Sequence, residues 1–195
     1  MTVCLRCGMP PLAQGDAFPR LTLESAAGQL ELSDKWRRGP LVIAFMRHFG
    51  CAFCRQHLIE LKKAYDEIKQ ADGDVVAIFQ YGAEATERLC EAREIPYECL
   101  GDPQREGYAK VELGRGGIRE YLGWRVFKGW ARAARGGVYV GRPQGDVAQR
   151  PGTFVVDSSG RIVLAHYSEH STNNVPVERV LEAVRQAGAA TPTAE

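Results

Sequence analysis

The sequence predicts an α/β fold: a mixed central sheet flanked by helices, an N-terminal β-hairpin, and an insertion before the last ββα unit. Three observations carry this. Residues 41–46 and 75–79 are apolar runs rich in branched and aromatic side chains, as strands buried on both faces are. Between them Cys54, Leu58, Leu61, Tyr65 and Ile68 recur at spacings of four and three, one face of a helix. Near the C-terminus two strand-like segments flank a Ser158-Ser159-Gly160 turn and lead into a further helical stripe.

In chain order, residues 1–14 read as an extension carrying Cys4 and Cys7 and closed by Pro10 and Pro11. Residues 21–24 and 29–32 alternate as a hairpin around Gly28. Ser33 is placed to N-cap a short turn through Trp36. The first central strand, 41–46, feeds the long helix, which Asp72-Gly73-Asp74 ends. The strand at 75–79, a helix over 83–93, a short strand over 95–100 and a helix over 104–111 follow. Residues 112–150 hold nine of the 21 glycines and read as a long insertion with one helix near 126–134. The pair 153–156 and 161–166 and the stripe Val177, Val180, Leu181, Val184 complete one domain over 15–187, with a flexible tail over 188–195.

Composition narrows the function classes. A formal net charge of +1 supplies no attraction for nucleic acid, although Trp124 and Trp130 lie among arginines; that segment instead reads as a lid or a homodimer contact. No stretch approaches the roughly 18 apolar residues that span a bilayer. The N-terminal residues lack the apolar core of a secretory signal, so a cytoplasmic protein is expected. In that setting six cysteines point to metal binding or redox catalysis rather than to structural disulfides. Cys90 and Cys99, which stand alone, read as small buried residues. His166 and His170 fall on a strand end and a loop, so their spacing makes no metal pair and none is expected.

The chemistry concentrates in Leu-Val-Ile-Ala-Phe-Met-Arg-His-Phe-Gly-Cys-Ala-Phe-Cys-Arg, residues 41–55. Strand, turn, Cys-x-x-Cys and helix is the order of a thioredoxin-like redox site. Cys51 falls where the unpaired N–H groups of a helix start favour a thiolate, and Arg47, His48 and Arg55 add positive potential. Cys51 is therefore the expected nucleophile. Cys54, one turn on and within disulfide reach, is the expected resolving cysteine. The spacing predicts an exposed Cys51 and a more enclosed Cys54. Half of a zinc site is the competing reading of such a pair.

Gly15-Asp16-Ala17-Phe18-Pro19, Leu21-Thr22-Leu23 and Leu30-Glu31-Leu32-Ser33-Asp34 together resemble the opening of the peroxiredoxins, the alkyl hydroperoxide reductase and thiol-specific antioxidant proteins. Ile95-Pro96, Asp102-Pro103 and the hairpin with Asp157 before its turn continue the likeness. Arg47 to Arg55, Gln144-Gly145-Asp146 and the stretch from His170 to Val175 resemble a peroxiredoxin-like subgroup with Cys-x-x-Cys. The resemblance covers about residues 15–187. It implies a thioredoxin-like fold and an antioxidant thiol peroxidase with Cys51 as peroxidatic cysteine. Its substrate would be hydrogen peroxide or an organic hydroperoxide. No cofactor is implied beyond an external reductant, a thioredoxin-like protein or a low-molecular-weight thiol.

The resemblance also places a cis-proline, here Pro151, before the strand that faces the cysteines. Arg150 would then lie beside Cys51, to stabilise the thiolate or polarise a peroxide. Arg47, Gly50, Phe53 and Pro151 would form the substrate pocket. The sequence departs from well-characterised peroxiredoxins at Ala44 and His48, where they carry proline and threonine; His48 then becomes the candidate hydrogen-bond donor to peroxide. A thiol–disulfide oxidoreductase is the alternative, although Gly50 replaces the tryptophan usual in thioredoxins. A redox-sensing or partner-binding module using residues 112–150 is another. Cys4 and Cys7 are candidates for an accessory electron relay or for zinc, or have no role.

Overall fold

In a computed structural model of the chain, the structure describes residues 10–48, 50–116, 145–168 and 173–189. Seven strands form one mixed sheet: β1 (Thr22–Ser25), β2 (Gly28–Glu31), β3 (Leu41–Phe45), β4 (Asp74–Phe79), β5 (Glu98–Gly101), β6 (Gly152–Val156) and β7 (Ile162–Tyr167). Their spatial order is β2-β1-β5-β4-β3-β6-β7. The central pairs β3–β4 and β4–β5 are parallel, and β3–β6 and β6–β7 are antiparallel. The described helices are α1 (Ser33–Trp36), α2 (Ala52–Gln70), α3 (Ala83–Glu91), α4 (Glu106–Lys110) and α5 (Val177–Ala189). None of them is long and apolar enough to cross a membrane.

β3 and β4 carry no polar side chain after Asp74 because both sheet faces are covered. Alternation sends Val42, Ala44, Val75, Ala77 and Phe79 to one face, where Leu58, Leu61 and Ile68 of α2 and Val180 and Val184 of α5 pack. Leu41, Ile43, Phe45, Val76 and Ile78 go to the other, against Leu21, Leu32, Trp36, Tyr108 and Phe154. The parallel strands end together, and their C-terminal ends are where α/β sheets hold chemistry. There the Tyr108 hydroxyl is shared between the carbonyls of Met46 at 2.6 Å and Ile78 at 3.0 Å.

Several boundaries differ from expectation. Leu32, not Ser33, is the residue before α1, and no side chain caps that helix. The strand expected from residue 95 begins only at Glu98, because Glu94 turns the chain at φ 51° and the Ile95 N–H closes α3 by donating to the Cys90 carbonyl. The helix expected over 104–111 shortens to Glu106–Lys110; the Asp102 carboxylate accepts from the N–H groups of Glu106, Gly107 and Tyr108 and so sets its start. α5 runs to Ala189, past the expected start of a tail, because Ala187 is still in the core.

The largest correction concerns Cys90 and Cys99. They are joined as a disulfide, with Cα atoms 6.6 Å apart. Cys90 lies on the buried side of α3, one turn after Thr86, and the Glu94 turn brings β5 back against that face. Cys4, Cys7, Trp124, Trp130, His170 and the helix expected near 126–134 lie outside the described residues.

Candidate active site

β3 delivers Arg47 and His48 to the end of the sheet, and the chain then turns through buried Gly50 into α2. Cys51 is the N-cap of that helix, with extended backbone (φ −75°, ψ 113°), and its side chain takes the place of a capping oxygen. Cys51 Sγ accepts from the Cys54 N–H at 3.4 Å and from Arg47 Nη2 at 3.5 Å. Both sulfurs are free.

The expected contrast in exposure does not hold: Cys51 is 4% exposed and Cys54 6%. The Arg47 side chain and the apolar cluster shared with Met46 and Leu58 cover Cys51 instead of leaving it at an open tip.

The two thiols are driven in opposite directions. The Cys51 thiol is lowered to about 6, first by the hydrogen bond it receives from the Cys54 thiol; burial opposes this, and Arg47 and the N–H groups of Cys54 and Phe53 assist. Cys54 is raised, by donating that bond, by burial and by the neighbouring Cys51 charge. Near neutral pH the pair is thus a Cys51 thiolate held by a Cys54 thiol. His48 is pushed down to about 4 by burial and by Arg47, so its ring is neutral there. Its buried Nδ1 has no hydrogen-bond partner among the described residues.

The peptide bond before Pro151 is trans, since no described bond is cis. The chain does not reverse here: the Arg150 N–H donates to the Gly114 carbonyl and the Ser168 N–H to the Pro151 carbonyl, both compatible with an extended run into β6. Pro151 is buried. Arg150 lines a small cavity with Glu112, Leu113 and Tyr167, while the guanidinium found on Cys51 Sγ belongs to Arg47. Phe53 is half-buried at the start of α2, and its carbonyl accepts from Asn174 Nδ2 at 2.9 Å.

Sequence reasoning missed the lock beneath Arg47. Gln80, just after β4, donates through Nε2 to the Arg47 carbonyl and to the Asp146 carbonyl at 3.0 Å, and its Oε1 accepts from the Asp146 N–H at 2.9 Å. The Asp146 carboxylate binds Arg105 and, at 2.8 Å, Arg115 Nε. Gly145 (φ +79°) permits this approach; a Cβ there would lie 3.0 Å from the Gln80 amide carbon. That glycine beside an aspartate was the one visible signal. His57, 4% exposed on α2, meets Thr153 Oγ1 of β6 at 3.0 Å through Nε2. Among the described residues no group of three or more His, Cys, Asp or Glu is arranged to hold a metal ion.

The AhpC/TSA family matches residues 14–165. The chain belongs to that family. Among its relatives, Peroxiredoxin-like 2C of Mus musculus is 25% identical over 189 residues, covering 91% of this chain and 81% of the relative. The protein named prostamide/prostaglandin F synthase of Salmo salar is 28% identical over 175 residues, 83% of each chain. The crystal structure of peroxidoxin BcpB from Mycobacterium tuberculosis superimposes with a TM-score of 0.66 at 18% identity, covering 89% of this chain and 96% of that one. The fold is thus thioredoxin-like, as the sequence predicts, and family and fold support a thiol-based redox function.

Proposed function

We propose that the protein is a thiol-dependent peroxidase. The carrying observation is Cys51 Sγ at the tip of α2 within hydrogen-bond reach of Arg47 and Cys54, with its thiol lowered to about 6. The Cys51 thiolate attacks the terminal oxygen of a hydroperoxide; the O–O bond breaks, and the alcohol or water leaves after taking a proton. The Cys51 sulfenic acid then condenses with the Cys54 thiol, releasing water and forming the Cys51–Cys54 disulfide. Two thiols from outside restore both cysteines. His48, neutral and with an unpartnered Nδ1, is the proposed hydrogen-bonding partner of the peroxide in place of the usual threonine.

Stopped-flow mixing of reduced protein with hydrogen peroxide tests this. Oxidation of Cys51 far faster than that of free cysteine is expected, and an equal rate overturns the reading. A second reading, disulfide reductase, is favoured by Cys54 donating its N–H to Cys51 within a Cys-x-x-Cys turn. Rapid turnover in insulin reduction, with slow peroxide oxidation, would select it.

A further inference from the structure

A cleft between α2 and α3 leads to the second sulfur. Its floor is His48, Cys54, Leu58 and Phe79, all buried, and its rim is Arg55, Leu89 and Arg93, all half-buried. Cys51 does not line it. The space within is about 10 Å³, enough for one water-sized group; an incoming sulfur, which is larger, reaches Cys54 only as the half-buried rim side chains move aside. The rim is cationic. Arg55 and Arg93 lie close enough that burial and then the Arg55 charge lower the Arg93 guanidinium from its usual value. Arg93 is held in place: its Nη1 donates to the Leu89 carbonyl at 3.1 Å, and its own carbonyl accepts from Lys62 Nζ at 3.0 Å. The nearby carboxylate of Glu94, 91% exposed, pairs with Lys62 at 3.5 Å.

We propose that this cleft admits the reductant of the Cys51–Cys54 disulfide, and that the reductant is a small thiol bearing a carboxylate. Its sulfur enters to Cys54 while its carboxylate rests between Arg55 and Arg93. The inference rests on the redox reading above only in requiring that disulfide, however it is formed. The incoming thiolate attacks Cys54 Sγ. A Cys54–reductant disulfide forms, the Cys51–Cys54 bond breaks, and its electron pair leaves on Cys51 Sγ. Direction follows from leaving-group chemistry: the more acidic thiol departs faster, and Cys51 is the more acidic of the two. A second thiolate then attacks the reductant's sulfur. Cys54 leaves and takes a proton from solvent, and the symmetrical disulfide departs with the two electrons' worth of oxidation.

The test uses the full chain, oxidised with peroxide or with diamide and mapped for the Cys51–Cys54 disulfide. Failure with peroxide but success with diamide counts against the peroxidase reading and leaves this test intact. Reduction rates are measured with mercaptopropionate, mercaptoethanol and cysteamine, each corrected for its thiolate fraction. The anionic thiol is expected to be at least about tenfold faster than the neutral one and the cationic thiol slower. Arg93→Gln should collapse this order and Arg93→Lys should keep it. Trapped mixed disulfide should sit on Cys54. Equal rates for the three thiols, an order that Arg93→Gln leaves unchanged, or mixed disulfide on Cys51 overturns the proposal. So does efficient reduction only by a thioredoxin-type protein dithiol.

Discussion

Replacing Cys54 by alanine removes the thiol that donates to Cys51 while leaving the backbone N–H at 3.4 Å and Arg47 Nη2 at 3.5 Å in place. The full depression of Cys51, from 9.0 to about 6, corresponds to about 4 kcal/mol. The Cys54 thiol is its largest cause. A hydrogen bond to a charged acceptor contributes about 1.5–3 kcal/mol, or about 1–2 pKa units. Cys51 should therefore titrate between about 7 and 8 in Cys54→Ala, against about 6 in the parent. Cys54→Ser keeps a hydroxyl donor at the same place and should stay near the parent value. The assay is the pH dependence of thiolate ultraviolet absorbance and of iodoacetamide alkylation at Cys51, with Cys51→Ser as the background. Near neutral pH the parent holds about nine-tenths of Cys51 as thiolate and Cys54→Ala a minority to a half. Identical titrations for the alanine and serine variants would refute the argument and transfer the depression to Arg47 and the helix start.

Three further outcomes are expected. Cys90→Ser should lower unfolding stability by about 3 kcal/mol, since the bridge closes a loop of roughly ten residues in the unfolded chain; urea titration reads this, and a parent and variant of equal midpoint would rule out a stabilising bridge. His57 is lowered from 6.5 to about 4, by burial first and then by the neighbouring His166. Between those values the unfolded imidazole binds a proton that the native one does not, so stability falls as pH falls through that window, by up to about 3 kcal/mol. His57→Gln should reduce that dependence to the part that His48, also lowered to about 4, contributes, and an unchanged slope would count against it. Tyr108→Phe should cost about 1–3 kcal/mol, because it strips a buried hydroxyl from the carbonyls of Met46 and Ile78; calorimetry showing no loss would mean water takes over the bond.

Local patterns carried the order of elements and the place of Cys51 at a helix start. The two apolar runs became β3 and β4 because a strand covered on both faces has no room for polar side chains. The stripe from Cys54 to Ile68 became α2, and a cysteine just ahead of it had to cap that helix. Both are settled by neighbours within a few residues. Tertiary structure decided what surrounds the sulfur. Burial of Cys51 depends on where the Arg47 side chain folds back. The segment around the trans bond at Pro151 pairs with Gly114 and Ser168, supplied by two different segments. The Gln80–Asp146 lock spans 66 residues, and the Cys90–Cys99 bridge exists only because the chain turns at Glu94. Periodicity encodes which face of an element is apolar, not which distant group meets it. The sequence by itself determined that a thiolate would form at the tip of α2; the packing of separate segments decided how deep it lies and which arginine holds it.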